Sequence, residues 1–336
     1  MKFGISVPNC VEGMAFPIPF AGHGDVIRVA TEAERLGFDS ILANDHWSTQ
    51  NYVRDAFPEP PRYYEPLIML AHIAAKTETI RLVTGVIVLP LREPVLFAKQ
   101  VATLDQVSGG RVTLGVGVGA YREEFEAVRP AWSGVARAEL VEEGLASIRL
   151  LFGERRASFS GKHIQFADVE MFPKPVQQPL PIFSCGNAAG TMRRAARYCD
   201  GWMPAGLPRE ALAAGIERVR SLASEQGRTS HFEVCPQLVA CLADSDVAAQ
   251  AAFAASQAHE HLVSLRRSTM RDIDMASFMS ENLIGTPDEV VRRLRLLREA
   301  GADGISGIFF AVNTVDEYLA QMRRFARDVM PALKQG

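Results

Sequence analysis

An acid, an imidazole and an aromatic ring follow one another at Asp45, His46 and Trp47, one residue after the short apolar run Ser40–Ala43. A histidine can accept or donate a proton near neutral pH, and an adjacent carboxylate can fix the orientation of its ring. If the apolar run is a strand that ends at an active site, His46 is the catalytic candidate and Asp45 its orienting partner. The alternative is that His46 only caps or packs.

A second candidate site begins where the run Pro181–Cys185 passes directly into a helical pattern. The free backbone N–H groups and the dipole of a helix N-terminus bind anions, so this segment predicts a seat for a phosphate group. Its members are Gly186, Asn187, Ala188, Ala189, Gly190 and Thr191. The alternative is that Asn187 caps the helix and no ligand binds.

Glycines inside two further apolar runs indicate a wall against which a flat group can lie. Gly85 interrupts Ile80–Leu89, and Gly117 is one of the alternating glycines at the end of Val112–Val118. A glycine within a strand marks a bulge or a close approach of the backbone to a ligand. The second run superficially matches the dinucleotide motif GxGxxG, but its glycines alternate along a strand and do not open a helix. We therefore expect a planar cofactor here.

Eight short apolar runs, separated by stretches of helical period, must position these residues. They are Phe3–Val7, Ser40–Ala43, Ile80–Leu89, Val112–Val118, Pro181–Cys185, Gly201–Pro204, Phe232–Leu242 and Gly304–Phe310. Continuous apolar strands alternating with helices favour a parallel sheet covered on both faces, and eight such units favour closure over an open doubly wound sheet. The open sheet would need a phosphate fingerprint after the first strand, which the sequence lacks.

The predicted fold class is therefore α/β, a (β/α)8 TIM barrel with an inserted hairpin and extended mouth loops. In this fold the catalytic groups stand at the carboxyl ends of the strands. The hairpin is predicted from the short β-like runs Ala157–Ser160 and His163–Phe166, and the long connections are 47–64 and 259–281. Long loops of this kind are often lids, although covering apolar surface or forming a dimer contact explains them equally well.

Composition narrows the class of protein. The chain has 336 residues, 48% of them hydrophobic, with 36 basic and 39 acidic side chains and a formal charge of −3. Disorder is excluded, and no surface built for nucleic acid is indicated. Five cysteines without CxxC spacing predict no metal site. With no signal peptide and no apolar stretch of membrane-spanning length, we expect one cytoplasmic domain, residues 1–336, without membrane partners.

Taken together, these motifs resemble the luciferase-like monooxygenase superfamily, which includes FMN-dependent monooxygenases and oxidoreductases that use the deazaflavin coenzyme F-420. In chain order, the segments that carry the resemblance are FGISVPN, AERLGFDSILANDHW, TGVIVLPLREPVLFAKQVATLDQVSGGRVTLGVGVGAYREEF, KPVQQPLPIFSCGNAAGTMRRAARYCDGW and IGTPDEVVRRL. The resemblance implies that His46 is catalytic, that Gly85–Val86 is a cis peptide against the flavin face, that Gly186–Thr191 holds the cofactor phosphate and that Tyr121 lines the flavin pocket.

Two positions depart from the family pattern. Val118 stands where bacterial luciferase places an arginine on the FMN phosphate, so this chain cannot use that charged clamp. Ala120 stands where some deazaflavin enzymes that oxidise sugar phosphates carry a catalytic glutamate. The resemblance therefore implies a phosphate held by backbone groups and a substrate other than a sugar phosphate.

The leading functional hypothesis is a monooxygenase that takes reduced FMN from a separate flavin reductase and inserts one oxygen atom from O2 into a small hydrophobic organic substrate. The alternative is hydride transfer with coenzyme F-420, and a third possibility is a non-catalytic flavin-binding barrel. Phe16, Trp47 and Tyr64 are the candidate substrate contacts, with core packing as the alternative for each. The resemblance further implies a homodimer.

Overall fold

Parallel strands form the centre of the molecule. The computed structural model describes residues 1–10, 20–265 and 275–334. In these residues the strands are β1 Lys2–Ser6, β2 Ser40–Ala43, β3 Arg81–Thr84, β4 Ile87–Val88, β5 Val112–Gly117, β6 Ala157–Ser160, β7 Gln165–Val169, β8 Ile182–Cys185, β9 Gly201–Met203, β10 Glu233–Val234, β11 Gln237–Leu242, β12 Leu283–Gly285 and β13 Gly304–Phe310.

Helices cover the sheet and fill the connections between its strands. They are α1 His23–Arg35, α2 Asn51–Ala56, α3 Pro66–Ala74, α4 Pro94–Val107, α5 Arg122–Val128, α6 Arg137–Gly153, α7 Ala189–Tyr198, α8 Arg209–Glu225, α9 Asp246–Ala254, α10 Gln257–Leu265, α11 Met275–Glu281, α12 Pro287–Glu299, α13 Val315–Asp328 and α14 Pro331–Lys334. None of the described helices combines the length and apolar character that a membrane span requires.

The strands pair in the order β10-β9-β8-β5-β3-β2-β1-β13-β11-β12, and β4 pairs with β5. All of these pairs are parallel. The prediction of an α/β fold with a mostly parallel sheet is therefore confirmed. All eight predicted apolar runs contain strands, and β12 is an additional strand that the sequence pattern did not indicate.

The sheet is curled, because its two halves meet through consecutive pieces of chain. β10 pairs with β9 and β11 pairs with β13, although only Cys235 and Pro236 separate β10 from β11. Ala205, just after β9, also forms a bridge with Gln237. The hydrogen bonds of the described residues thus give a curled sheet of eleven strands, not the eight uninterrupted strands that were predicted.

Two of the predicted runs are interrupted for local reasons. Pro236 has no N–H group to donate to a neighbouring strand, and it separates β10 from β11. The third run is interrupted after Thr84, and the peptide bond between Gly85 and Val86 is cis, as predicted.

Two predicted elements have different bounds in the structure. β6 and β7 form the expected antiparallel hairpin, but β7 begins at Gln165, two residues later than predicted. The stretch Arg122 to Phe152, expected to supply the helical layer after the fourth strand, forms two helices, α5 and α6, with a short 3-10 turn at Pro130–Trp132 between them. Pro130 explains the division, because a proline is poorly tolerated inside a helix.

Some of the outer helices begin at side chains that accept the free N–H groups of their first turn. Glu93 accepts hydrogen bonds from Val95 and Leu96 at the start of α4, and Pro94 occupies the first helical position. Thr314 and Glu317 form a capping box at the start of α13. These caps fix where each helix starts, and the buried faces of the helices then pack on the sheet.

We predict that Leu104→Ala lowers the free energy of unfolding by about 2–5 kcal/mol, because it leaves a cavity between α4 and the sheet. Leu104 is 3% exposed. Leu96 lies on the same helix and is 59% exposed, so Leu96→Ala should cost less than about 1 kcal/mol. Denaturant unfolding measures the free energy of unfolding of both variants, which remove the same residue type from the same helix and differ in burial. An equal loss of stability in the two variants would contradict the assigned packing.

Candidate functional site

A cavity of about 550 Å³ opens where the strands β2, β3, β5, β8 and β9 end. The lining residues that the structure describes include no Asp, Glu, Lys or Arg. They are Asn44, Gly85, Val86, Gly117, Val118, Gly119, Ala120, Tyr121, Cys185, Gly186, Asn187, Met203, Ala205, Gly206, Gln237, Leu238, Val239, Ala258, His261, Leu262, Phe278, Asn282 and Phe309. The wall is thus mostly apolar, with a few neutral polar groups.

Six of the predicted cofactor-binding residues line this cavity. They are Gly85, Val86, Gly117, Tyr121, Gly186 and Asn187. Of the remaining four, Ala188 and Ala189 are exposed at the N-terminal end of α7, Gly190 is half-buried and Thr191 is buried. The structure therefore brings one end of the predicted phosphate segment to the cavity and places the rest in the helix beside it.

Asn187 does not cap α7, contrary to the alternative considered for this segment. The N-cap residue is Ala188, which has no capping side chain. The Asn187 amide instead donates to the carbonyl of Ala205 at 2.6 Å and accepts from the Ala205 N–H at 3.1 Å. These bonds tie the loop after β8 to the loop after β9 and leave the first N–H groups of α7 without a side-chain cap.

The glycines of the wall have two different roles. A Cβ on Gly115 would stand 2.1 Å from the carbonyl oxygen of Thr84, so that glycine is needed for the approach of β5 to β3. A Cβ on Gly117 would stand 2.8 Å from the Val86 side chain, and both residues line the cavity. Of these two glycines, only Gly117 lines the cavity, where it allows the Val86 side chain to pack closely against β5.

Asp45 does not orient His46, and this prediction is wrong. Asp45 is 3% exposed, and its carboxylate accepts from the Val88 N–H at 3.0 Å and from Arg92 at 2.7 Å. Adjacent residues in the loop after β2 therefore serve different partners. Burial raises the pKa of Asp45 above its ordinary value, while the Arg92 guanidinium acts in the opposite direction.

Nδ1 of the His46 ring lies within hydrogen-bonding distance of two side chains. It is 2.8 Å from Nε2 of Gln50 and 3.2 Å from Oε2 of Glu124. His46 is not among the described residues that line the cavity, so its predicted place inside the cavity is not observed. Its ring centroid is 6.0 Å from that of Tyr121, which does line the cavity.

Sequence reasoning missed Glu124 and Gln50. Glu124 is 4% exposed and Gln50 is fully buried. The segment Tyr121–Phe125 contains two adjacent glutamates, and nothing in the sequence distinguishes the buried Glu124 from the partly exposed Glu123. Gln50 lies four residues after His46, so spacing within one loop was the only available signal.

A hydrogen-bonded chain of rings crosses from the loop after β5 to α10. The hydroxyl of Tyr121 lies 3.3 Å from that of Tyr52, which lies 3.0 Å from Nδ1 of His261. Burial raises the pKa of Tyr121 to about 12 and lowers the pKa of His261 to about 3. His261, inside the long connection 259–281, was not predicted as a site residue, and it is neutral at physiological pH.

The predicted substrate contacts do not gather at the cavity. Trp47 is 44% exposed and its ring lies 4.9 Å from the guanidinium of Arg92, while Tyr64 offers its carbonyl to Asn9 and Cys10. Neither ring lines the cavity. Phe16 lies outside the described residues. The described residues also contain no group of three or more His, Cys, Asp or Glu side chains that could hold a metal ion.

A family model described as luciferase-like monooxygenase matches residues 1–304. The chain belongs to this family. Among its relatives, the FMNH2-dependent dimethylsulfone monooxygenase of Pseudomonas putida is 27% identical over 361 residues, which cover 100% of this chain and 96% of the relative. The crystal structure of a monooxygenase from Streptomyces bottropensis is 28% identical, with a TM-score of 0.80 over 98% of this chain and 99% of that one.

An F-420-dependent secondary alcohol dehydrogenase has the same fold, with a TM-score of 0.79 and 18% identity over 99% of this chain and 98% of that one. The F-420-dependent glucose-6-phosphate dehydrogenase of Kineococcus radiotolerans is 30% identical over 187 residues, which cover 54% of this chain and 52% of the relative. The relatives therefore include both flavin-dependent and deazaflavin-dependent oxidoreductases. This confirms the predicted family and enzyme class, and it confirms that both of the cofactors considered from the sequence occur among the relatives.

We predict that Arg92→Met lowers the free energy of unfolding by about 3–5 kcal/mol, because it leaves the buried Asp45 carboxylate without its cation. The matched control is Arg155→Met, which removes an exposed ion pair with Glu170 and should cost less than about 1 kcal/mol. Thermal or denaturant unfolding measures both. A mild effect of Arg92→Met would show that the Asp45–Arg92 pair is not what holds this strand end.

Proposed function

We propose that this chain uses reduced FMN and O2 to insert one oxygen atom into a small, uncharged hydrophobic molecule. The observation that carries this proposal is the cavity at the strand ends, which is large and has no ionisable carboxylate, lysine or arginine among its described lining residues. One oxygen atom of O2 goes to the substrate and the other leaves as water, with two electrons and two protons supplied by reduced FMN. When bound, FMN supplies the redox chemistry.

The described residues fit the ring and the phosphate of FMN. Gly117 and Val86 lie side by side in the cavity wall, because a Cβ at position 117 would collide with the Val86 side chain. The flat ring of FMN can lie against this part of the wall. The uncapped N-terminus of α7 adjoins Gly186, where backbone N–H groups favour an anion. Guanidinium nitrogens of Arg194 and Arg193 lie 3.4 and 3.8 Å from the place of a Cβ on Gly190, which adds positive charge beside this helix end.

The charge of the lining supports an uncharged substrate. A carboxylate, sulfonate, phosphate or ammonium group would lose its hydration in the cavity without gaining an opposite charge from the described lining, which is costly. His261 does not change this, because its lowered pKa keeps it neutral. The neutral polar groups of Tyr121, Gln237 and Asn282 can instead bind one or two oxygen or nitrogen atoms of a mostly apolar molecule.

His46 is proposed to move a proton during turnover, despite lying beside the cavity. Its ring neighbours Tyr121, whose hydroxyl group belongs to the hydrogen-bonded chain that continues to His261 at the cavity wall. A positioned imidazole near neutral pH is an effective proton donor or acceptor.

A titration of the purified chain with FMN, reduced FMN and coenzyme F-420 tests the cofactor assignment. F-420 carries an oligoglutamate tail, and the described cavity wall offers it no cation. We expect the tightest binding for reduced FMN, together with substrate-dependent O2 consumption when reduced FMN is supplied. Selective binding of F-420 would favour hydride transfer, and no binding of any of the three would favour a barrel without redox activity.

We also propose a single (β/α)8-barrel domain spanning 1–336, working as a homodimer with a separate flavin reductase. The barrel is supported by β10 and β11, which are adjacent in the sequence. β10 pairs with β9 and β11 pairs with β13, so together they join the two ends of the sheet. We count β10 and β11 as one strand, and β3 and β4 as another. The strands then form a closed path of eight, in the order β10/β11, β9, β8, β5, β3/β4, β2, β1 and β13. The requirement for a reductase follows from the use of reduced FMN as a substrate.

Gly186→Val is expected to weaken the affinity for reduced FMN by at least about tenfold. Gly186 has φ of +117°, which valine rarely adopts, so the loop must shift and its N–H groups no longer converge on the phosphate. The control is Gly134→Val, at an exposed position with no atom within 4 Å of the added Cβ. Fluorescence titration gives both affinities, circular dichroism checks folding, and equal affinities would remove the phosphate assignment.

His46→Ala should lower turnover by at least about tenfold while the affinity for reduced FMN changes much less, because the proposed phosphate seat is on another strand. His46→Asn separates two roles, since asparagine can form hydrogen bonds but does not titrate near neutral pH. Steady-state kinetics and flavin titration distinguish turnover from binding. Parent-like turnover in both variants would leave His46 with a packing role only.

A further inference from the structure

We propose that Glu124 is the positioning residue of His46, which keeps a proton on Nδ1 and leaves Nε2 as the nitrogen that exchanges protons. The inference deepens the proposed function, since its consequence for turnover rests on His46 acting in proton transfer. Its structural content, the protonated nitrogen of the ring, does not depend on any substrate.

Glu124 is a buried carboxylate with a small and well-defined set of donors. Oε1 accepts from the backbone N–H groups of Trp47 and of Ser48, the latter at 3.3 Å. Oε2 lies 3.2 Å from His46 Nδ1. In the part of the chain that the structure describes, the only ion pair of Glu124 is the one with His46. The backbone donors and the imidazole together must therefore compensate its burial.

This arrangement distinguishes the two neutral forms of the ring. If Nδ1 carried a lone pair, Gln50 could donate to it at 2.8 Å, but the Glu124 oxygen would face that lone pair at 3.2 Å and lose its donor. If Nδ1 carries the proton, it donates to Glu124. The Gln50 amide can then turn its oxygen towards the ring and its nitrogen towards the hydroxyl of Tyr63, which lies 2.8 Å away.

Only the second form gives Oε2 of the buried Glu124 carboxylate a hydrogen-bond donor on the His46 ring, and a buried carboxylate oxygen without a donor is strongly disfavoured. The same geometry suits the charged ring, because Nδ1 also keeps its proton when Nε2 gains one. The positive charge then lies beside the Glu124 carboxylate. Asp45 cannot take this role, since its carboxylate is bound to Arg92 and to the Val88 N–H.

Nitrogen-15 NMR of the histidine side chains tests the inference directly. The chain has seven histidines, and His46→Asn identifies the signals of His46 by their loss. We expect the parent protein, at a pH where the ring is neutral, to show a protonated Nδ1 and an unprotonated Nε2. A parent spectrum with the proton on Nε2 overturns the proposal without any need for a variant at position 124.

Glu124→Gln should shift the ring towards the form protonated on Nε2, because the amide is a weaker acceptor and carries no charge. We expect kcat to fall at least about tenfold, with the KM of the substrate and the affinity for reduced FMN nearly unchanged. Glu123→Gln is the matched control, an adjacent glutamate in the same helical turn that makes no bond to His46, and it should alter neither the spectrum nor kcat.

Gln50→Leu provides a second variant that keeps the carboxylate, and Nδ1 should remain protonated in it. Loss of the Nδ1 proton in Gln50→Leu, or an unchanged His46 spectrum in folded Glu124→Gln, would overturn the positioning role. The failure of the proposed function has a different signature. If His46→Asn turns over normally while the parent has its proton on Nδ1, then Glu124 positions a ring that the reaction does not use.

Discussion

The parallel pairing of the strands is the constraint on which the rest of the molecule depends. Parallel neighbours end at the same edge of a sheet, and the strands of this curled sheet are buried on both sides, so the strand interiors must be apolar. Polar side chains are then confined to the places where strands end. The cavity at the ends of β2, β3, β5, β8 and β9 follows from this arrangement, as does the presence of Asn44, Tyr121 and Asn187 in its wall.

Burial makes each charge near this edge depend on a specific partner. The carboxylate of Asp45 is compensated by Arg92, which also bridges to Glu65, and that of Glu124 by two backbone N–H groups and the His46 ring. The carboxylates of Asp45 and Glu124 lie outside the cavity lining, and the described lining residues include no carboxylate. A neutral cavity beside a compensated histidine suits chemistry on an uncharged molecule, where water must be excluded but a proton must still move.

Much of the architecture was predictable because it depends on local patterns of hydrophobicity. The eight apolar runs all contain strands, and the second, Ser40–Ala43, matches its predicted bounds at both ends. An error occurs where one residue changes a local pattern, as Pro236 does between β10 and β11, where one continuous run was predicted. β12, with only three residues, was not predicted from the sequence.

The same distinction between local pattern and tertiary structure applies to the candidate site. By itself the sequence determined which strand ends are polar, where a glycine lies in a strand and where a helix begins beside Gly186, because these properties depend on neighbours in the chain. Only the tertiary structure decided which carboxylate reaches His46. Asp45 is adjacent in sequence but points to Arg92, whereas Glu124, 78 residues away, reaches the imidazole because β2 and β5 end at the same edge of the sheet.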